Sequence, residues 1–449
     1  MRTDARGLLL STDQDAAASA FDAAIAVYLR FRTGLPALVT TILEADPDFA
    51  LGHCLAGIAA MLAYDARLLP AAAAALARAQ AAAPGATLRE QTHIAALAAW
   101  VAGDVGRAVG IWEAILADHP RDVLAFRLAH FGNFALGRPQ DMVASVRRIL
   151  PHWDDATPGF PAVLACQCFA EEEAGNLLVA EPIGRRAITL DPGDIWAAHA
   201  VAHVLETQGR RREGIDWLTG LAAHWEGASN LVHHLWWHVS LFHLEQGGFD
   251  TVLDLYDRRF RNLGSRLTQA IPDLYTDVQN AASMLFRLER LGVAVGRRWE
   301  ELADKAEARI GDCLATFTLP HWMMALAAGG RERAAERMLA ALRERGQGEG
   351  AAATVLREVA LPVCEAVRAH RAGAYAACVA GLRPVLGAMH RLGGSHAQQD
   401  VLHQLFLDAA LRAGIEADVR LALERAAGRR TVPLSRWIGY RDAAARFPL

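Results

Sequence analysis

Histidine and tryptophan are concentrated in one short part of the 449-residue chain. Seven of the 17 histidines and five of the 11 tryptophans lie between residues 196 and 243. Imidazole exchanges protons near neutral pH and is the commonest protein ligand of transition metals, while indole supplies apolar walls with one polar atom. This segment is therefore where the residue types and their spacing point to chemistry.

Two of these histidines stand where they can act together. Trp196, His199, His203 and Glu206 follow at spacings of 3, 4 and 3, so they project from one face of one helix. Histidines at i and i+4 can share a divalent transition metal, and a carboxylate and a further histidine complete such a shell. The metal interpretation uses His199, His203, Glu206 and His238 as ligands.

Two other interpretations of the same residues stay open. As an acid/base site, histidines held against a carboxylate between Trp196 and Trp237 titrate near neutral pH and transfer protons. The catalytic residues are then His199, His203, Glu206, His234 and His238. As a structural feature, the same imidazoles and indoles form a hydrogen-bonded polar core between packed helices.

A further histidine belongs to a different setting, after two glycines. Gly393 and Gly394 break the chain, Ser395 is suited to cap the following helix, and His396 begins it. We expect His396 as a catalytic residue and Asp400 as a ligand-binding residue that reach a groove from this helix start. The alternative is a tight turn between two helices.

Regularly spaced glycines organise the chain around these residues. The turns are predicted at Gly103, Gly137, Gly175, Gly209, Gly247, Gly292, Gly329, Gly373 and Gly414. Successive glycines are 34 to 45 residues apart, and the segments between them carry apolar stripes of helical period without alternating strand patterns. A repeat of this length contains two helices and buries its apolar face only by stacking on its neighbours. The expectation is an all-α chain.

Particular segments carry a family resemblance. The turn Ala102-Gly103-Asp104 and the helix after it resemble the second helix of a tetratricopeptide repeat. Residues 199–206, 235–238 and 393–400, together with 255–257 and 296–299, resemble the tetratricopeptide repeat protein 38 family. The resemblance implies an α-solenoid of tetratricopeptide-like helix pairs that form a right-handed superhelix. It implies no established reaction.

The resemblance also indicates which positions face the concave groove of such a solenoid. The expected ligand-binding positions on that face are Trp196, Trp237, Arg127, His93 and Glu172. A groove this rich in aromatic rings suits a compact small-molecule ligand, and its polar residues favour hydrolytic or other acid/base chemistry. The alternative is a scaffold that binds a peptide along the concave groove.

The whole chain is expected to form a single superhelical domain over 1–449. Residues 1–260 carry the more regular repeats, and 261–449 carry diverged helix pairs that close the superhelix. No tract rich in proline, serine and glycine separates the two parts.

Composition narrows the class of protein. With 53% hydrophobic and 21% charged residues the chain can bury a core, and a net charge of −4 offers no basic footprint for nucleic acid. Six cysteines do not make a disulfide framework, and the most apolar run, residues 68–77, is too short to span a membrane. We expect a cytoplasmic protein without nucleic-acid or membrane partners, and a homodimer is compatible with the sequence.

Overall fold

The computed structural model describes residues 1–449, and nearly all of its regular structure is helical. Its internal contacts divide the chain into two compact units. The first unit comprises Met1–Val201 and His224–Ser229, and the second comprises Ala202–Ala223 and Asn230–Leu449. The expected all-α fold is confirmed.

The first unit begins with a two-residue antiparallel strand pair in which Arg2 is paired with Leu10. Ten helices follow, and an eleventh begins in this unit and ends in the second. The elements are β1 (Arg2–Thr3), β2 (Leu9–Leu10), α1 (Asp15–Leu29), α2 (Leu35–Ala45), α3 (Ala50–Leu62), α4 (Leu69–Ala82), α5 (Leu88–Val101), α6 (Val105–Asp118), α7 (Val123–Ala135), α8 (Pro139–Ile149), α9 (Phe160–Glu173), α10 (Leu177–Leu190) and α11 (Ile195–Thr207).

The second unit contains the remaining helices, with π-helical turns at Tyr256–Phe260 and Leu356–Ala360. The helices are α12 (Arg211–Leu221), α13 (Leu231–Glu245), α14 (Phe249–Leu255), α15 (Arg266–Ala270), α16 (Tyr275–Arg290), α17 (Arg298–Ala308), α18 (Leu319–Ala328), α19 (Glu332–Gly346), α20 (Gly350–Val355), α21 (Leu361–Arg371), α22 (Tyr375–Leu382), α23 (His396–Ala413), α24 (Glu416–Ala427) and α25 (Arg441–Arg446).

The glycine turns form the helix pairs as the sequence predicts. At Gly103 the backbone has φ +84°, a left-handed conformation that favours glycine, and Asp104 then caps α6 by accepting from the Arg107 amide at 2.9 Å. The turn predicted at Gly329 is present and spans Gly329 and Gly330. The left-handed residue after α18 is Gly330, with φ +67°, whereas Gly329 keeps an ordinary φ of −80°.

Successive helices pack against each other within each unit. In the first unit α1 packs on α2, α3 on α4, α5 on α6 and α9 on α10, which is the arrangement expected of tetratricopeptide-like helix pairs. In the second unit the order is less regular, because α16 contacts α13, α18 and α23 as well as α17. The solenoid of helix pairs is therefore clearest in the first unit, and α16 is the central helix of the second.

None of the helices combines the length and the apolar character that crossing a bilayer requires.

Candidate functional site

Three histidines converge in the second unit. His203 lies on α11, and His234 and His238 lie one turn apart on α13. Each offers a ring nitrogen, and these nitrogens lie within 4.8 Å of one another. All three side chains are buried, with at most 3% of any residue exposed. We call His203, His234 and His238 the histidine triad.

Hydrogen bonds hold two rings of the triad in defined orientations. His238 donates from Nδ1 to Glu206 Oε2 at 3.0 Å, and His234 donates from Nδ1 to Asn280 Oδ1 at 2.8 Å. A proton on Nδ1 puts the lone pair of each imidazole on Nε2. Metal-binding histidines in proteins are oriented in this way, by a carboxylate or carbonyl oxygen on the opposite nitrogen.

Burial also sets the charge of these rings. It lowers the pKa of His238 to about 3, with the nearby cations His396 and Arg287 acting in the same direction. The pKa of His234 likewise falls to about 3, mainly through burial. Both rings are therefore neutral at neutral pH, which is the protonation state that a metal ligand requires.

Glu206 responds to burial in the opposite direction, because burial disfavours its ionised form. Its pKa rises to about 7, although the positive charges of His396 and Arg287 oppose that rise. Its side chain is 16% exposed and lines a cavity. Glu206 thus accepts a hydrogen bond from His238 of the triad and also borders the cavity.

The helix that carries two of the triad histidines is buried over most of its length. In α13, Trp237 stacks on His234 with ring centroids 5.0 Å apart and an angle of 15° between the planes. His233, next in sequence, turns to α16, where its Nδ1 lies 2.9 Å from Asp277 Oδ2. The two adjacent histidines therefore fix α13 against α16 through Asp277 and Asn280.

A small cavity adjoins Glu206 within the second unit. Centres of water-sized molecules can occupy about 50 Å³ of it. Its charged and hydroxyl-bearing lining residues include Glu206, Arg287, His396, Asp400, Arg430 and Tyr440. His396 shares a hydrogen bond of 3.0 Å with Thr207, and its ring lies 5.7 Å from that of His203. The cavity and the histidine triad are therefore neighbours.

The loop before α23 is built as the sequence predicts. The Ser395 hydroxyl caps the helix by accepting from the Gln398 backbone amide at 3.2 Å. The Gln398 side-chain oxygen in turn accepts from the Ser395 backbone amide. Gly393 and Gly394 have φ of +85° and +77°. The loop therefore places His396 in the first turn of α23 and Asp400 one turn further on, and both line the cavity.

Asp400 is engaged by several donors. It accepts from Arg430 at 2.5 Å, from the Tyr440 hydroxyl at 2.6 Å and from Gln404 at 2.7 Å. Burial would raise its pKa, but Arg430 and Arg287 hold the pKa of this carboxyl well below its usual range. Asp400 is therefore an anion fixed in the cavity wall.

Other residues predicted for the site lie in the first unit. The rings of Trp196 and His199 are tilted by 39° with centroids 4.6 Å apart, and the His199 ring stacks on Phe169 at 5.5 Å. Glu172 is buried at 1% exposure on α9. His93 lies 2.9 Å from Asp122, so this predicted ligand-binding residue belongs to a buried ion-pair network.

Arg127, also in the first unit, is surrounded by aromatic rings. Its guanidinium carbon lies 4.8 Å from the ring centroid of Phe31, 4.7 Å from Phe131 and 5.5 Å from Trp196. It donates to Cys166 Sγ at 2.9 Å, whereas Cys168 packs toward Gly184. The two cysteines of the Cys-x-Cys sequence thus face different neighbours.

Two residues that shape the candidate site were not among those predicted from the sequence. Asn280 orients His234, and Arg287 lies in the cavity wall. Both are on α16, where Asp277, Asn280 and Arg287 recur at spacings of 3 and 7 and share one face. That polar stripe on a helix with apolar neighbours was the available signal.

Comparisons with known proteins give distant structural matches, which include the two that follow. No family model matches the chain. The structure titled human IFIT1 dimer with m7Gppp-AAAA is 11% identical, with a TM-score of 0.38, over 94% of this chain and 95% of that chain. The structure titled Naa15/Naa10 bound to HypK-THB is 11% identical, with a TM-score of 0.25, over 92% of this chain and 63% of that chain. Similarity at this level assigns neither a ligand nor a reaction.

Proposed function

We propose that this chain binds a divalent transition metal through His203, His234 and His238 and uses the site for hydrolytic or other acid/base chemistry on a small molecule. The observation that supports this proposal is the convergence of three buried imidazoles, two of them oriented by hydrogen bonds to Glu206 and Asn280. Three imidazoles whose ring nitrogens lie this close together are typical of a transition-metal site.

Three imidazole ligands leave a coordination position for water or substrate, as catalytic zinc sites do. A bound transition metal would supply Lewis acidity and lower the pKa of a water molecule. The chain's own residues supply orientation. Asn280 holds the ring of His234, and Glu206 holds that of His238 while facing the cavity.

This proposal changes the ligand set expected from the sequence. Glu206 accepts a hydrogen bond from His238 Nδ1, so we assign it a positioning role in place of a ligand role. His234 takes its place as a ligand, on the same helix as His238. His199 belongs to the first unit, and the proposal uses only residues of the second.

The scaffold hypothesis remains the competing one, in which a peptide lies in the concave groove and the histidines only pack. It predicts no stoichiometric metal. We also propose that the chain is related to the tetratricopeptide repeat protein 38 family, on the basis of residues 199–206 and 393–400. This relationship does not indicate a reaction.

Elemental analysis of the purified full chain tests the proposal. We expect about one equivalent of a transition metal in the wild type and none in the His234→Ala/His238→Ala double variant. The control is His243→Ala, which removes a partly exposed histidine two turns along from His234 on the same helix. It should keep its metal.

Circular dichroism of each variant separates loss of a ligand from loss of the fold. The proposal is wrong if the wild type, reloaded with Zn²⁺ after chelation, retains no metal on desalting, or if the folded double variant retains as much as the control.

A further inference from the structure

We propose that the cavity beside the histidine triad binds an anionic group, a carboxylate or a phosphate, of the small molecule invoked above. The inference rests on the proposed function for the identity of that molecule as a substrate. The anion site itself rests on the size of the cavity and the charges in its wall.

The cavity has room for one small group. Its space of about 50 Å³ for the centres of water-sized molecules corresponds to about three to five waters, at roughly 10–15 Å³ for each. A carboxylate or phosphate that displaces those waters fits this space. A longer ligand would have to extend out of the cavity.

A buried arginine lies in the cavity wall with only a long contact to a carboxylate. Arg287 is 3% exposed and donates to two backbone carbonyls, those of Ser283 at 3.3 Å and Ala397 at 3.1 Å. The nearest ion-pair contact, with Asp400 Oδ2, is 3.9 Å long. Burial lowers the pKa of Arg287, although Asp400, Glu206 and Glu245 act in the opposite direction. A buried cation in this position favours an anionic ligand.

The carboxylates of the wall are committed to other donors. Asp400 accepts from Arg430, Tyr440 and Gln404. Glu245 accepts from Arg211 at 3.1 Å and from the Ile438 amide at 3.0 Å.

Glu206 also lines the cavity and is bonded to His238. Its carboxyl group would repel an anion placed directly beside it, so the anion is expected against the arginines of the wall.

A second arginine adds positive charge at the exposed edge of the cavity. The side chain of Arg429 forms no ion pair, and its one hydrogen bond is donated to His403 Nε2 at 2.6 Å. Arg430 is held over the rings of Trp437 and Tyr440, at 4.6 Å from each centroid, so it is fixed before any ligand arrives. One arginine without an ion pair and one with only a long contact to Asp400, together with a third that is fixed nearby, favour an anion in the cavity.

Calorimetric titration of the metal-depleted full chain tests this inference, because an anion would also bind a metal directly. Inorganic phosphate and acetate are the two ligands, at constant ionic strength kept with chloride. We expect one of them to bind, which identifies the favoured class. The Arg429→Gln variant should weaken that binding by about tenfold, the usual scale for loss of one charged contact.

Arg441→Gln is the matched control, since Arg441 is exposed and paired only with its neighbour Asp442. Arg287→Met is expected to abolish binding, and Arg429→Gln keeps the test valid if that buried substitution prevents folding.

The inference is overturned if neither ion binds the wild type, or if Arg429→Gln binds as tightly as Arg441→Gln. Elemental analysis of the same samples reports the metal separately. A wild type without metal that still binds phosphate contradicts the proposed function and leaves the anion site standing.

Discussion

At the scale of single residues, several charged side chains of this molecule are buried. Besides Arg287, the first unit holds Asp122 at 2% exposure, where it accepts from Arg89 at 2.6 Å and lies 2.9 Å from His93 Nε2. Asp122 also caps α7 through the Ala125 amide. His93 and Arg89 keep the pKa of this carboxyl well below its usual range, against the effect of burial.

Replacing Asp122 by asparagine should destabilise the protein by about 3–5 kcal/mol at pH 7, because Arg89 stays buried without its counter-charge. The pKa of Asp122 is lowered on folding, so its contribution is complete above the unfolded value near pH 4 and is lost as the pH falls. The gap between wild type and Asp122→Asn should therefore narrow by about 1 kcal/mol between pH 7 and pH 3.

Urea unfolding at the two pH values measures this gap. Asp155→Asn is the control, because Asp155 is 58% exposed and its pair with Arg186 lies at the surface. A gap that stays constant with pH would contradict the assignment of the effect to this carboxylate.

The chemistry of the site was only partly predictable from residue types. The clustering of histidines identified His203, His234 and His238, because imidazole is rare enough for its concentration to be informative. The role of Glu206 depends on which atom faces it, and Asn280 lies 46 residues from its partner His234. Spacing along one helix cannot show contacts between helices that are distant in sequence.

At the scale of the elements, close helix packing explains why certain glycines lie inside helices. Gly184 lies on α10, and a Cβ built there would come within 2.5 Å of Val201 and 2.6 Å of Cys168. Gly110 on α6 has no atom within 4 Å of such a Cβ. Both glycines therefore lie inside helices, but only Gly110 has room for a side chain.

Gly184→Ala should destabilise the protein by about 1–2 kcal/mol, since overpacking of about 1–3 kcal/mol exceeds the gain of about 0.5–1 kcal/mol from replacing a helical glycine. Gly110→Ala should be stabilising by about 0.5–1 kcal/mol. Guanidinium unfolding of both variants is the measurement. Equal effects of the two substitutions would show that the helices separate to admit the methyl group.

The helix pairs themselves followed from the sequence, because glycine turns and apolar stripes are local signals. The turn at Gly103 and the cap at Ser395 were both predicted correctly. The sequence could not show whether Gly329 or Gly330 is the left-handed residue of its turn, because adjacent glycines are equally able to adopt that conformation and only packing selects between them.

At the scale of the whole molecule, the division into two units predicts which part of the chain a bound ligand stabilises. The histidine triad and the cavity both belong to the second unit. A ligand that binds only folded protein stabilises the unit that holds it. The expected single domain over 1–449 can thus be examined by asking how far that stabilisation extends.

Adding Zn²⁺ to metal-depleted protein should slow hydrogen exchange in α13 and α16, with little change in α1 to α8. At a free metal concentration about 100 times the dissociation constant, exchange that requires unfolding of the second unit should slow by about 100-fold. Mass spectrometry of peptides measures this, with the His234→Ala/His238→Ala variant as the control. Equal protection of both units would instead show that they unfold together.

The paired bonds from His233 to Asp277 and from His234 to Asn280 have a consequence for protein engineering. They fix the register of α13 against α16 at the helices themselves, so the alignment does not depend on the length of the chain that joins them. Within that connection, Leu263 is 49% exposed and lies beside Gly264. We accordingly expect the chain to accept a reporter domain inserted at Leu263–Gly264 while the histidines keep their alignment.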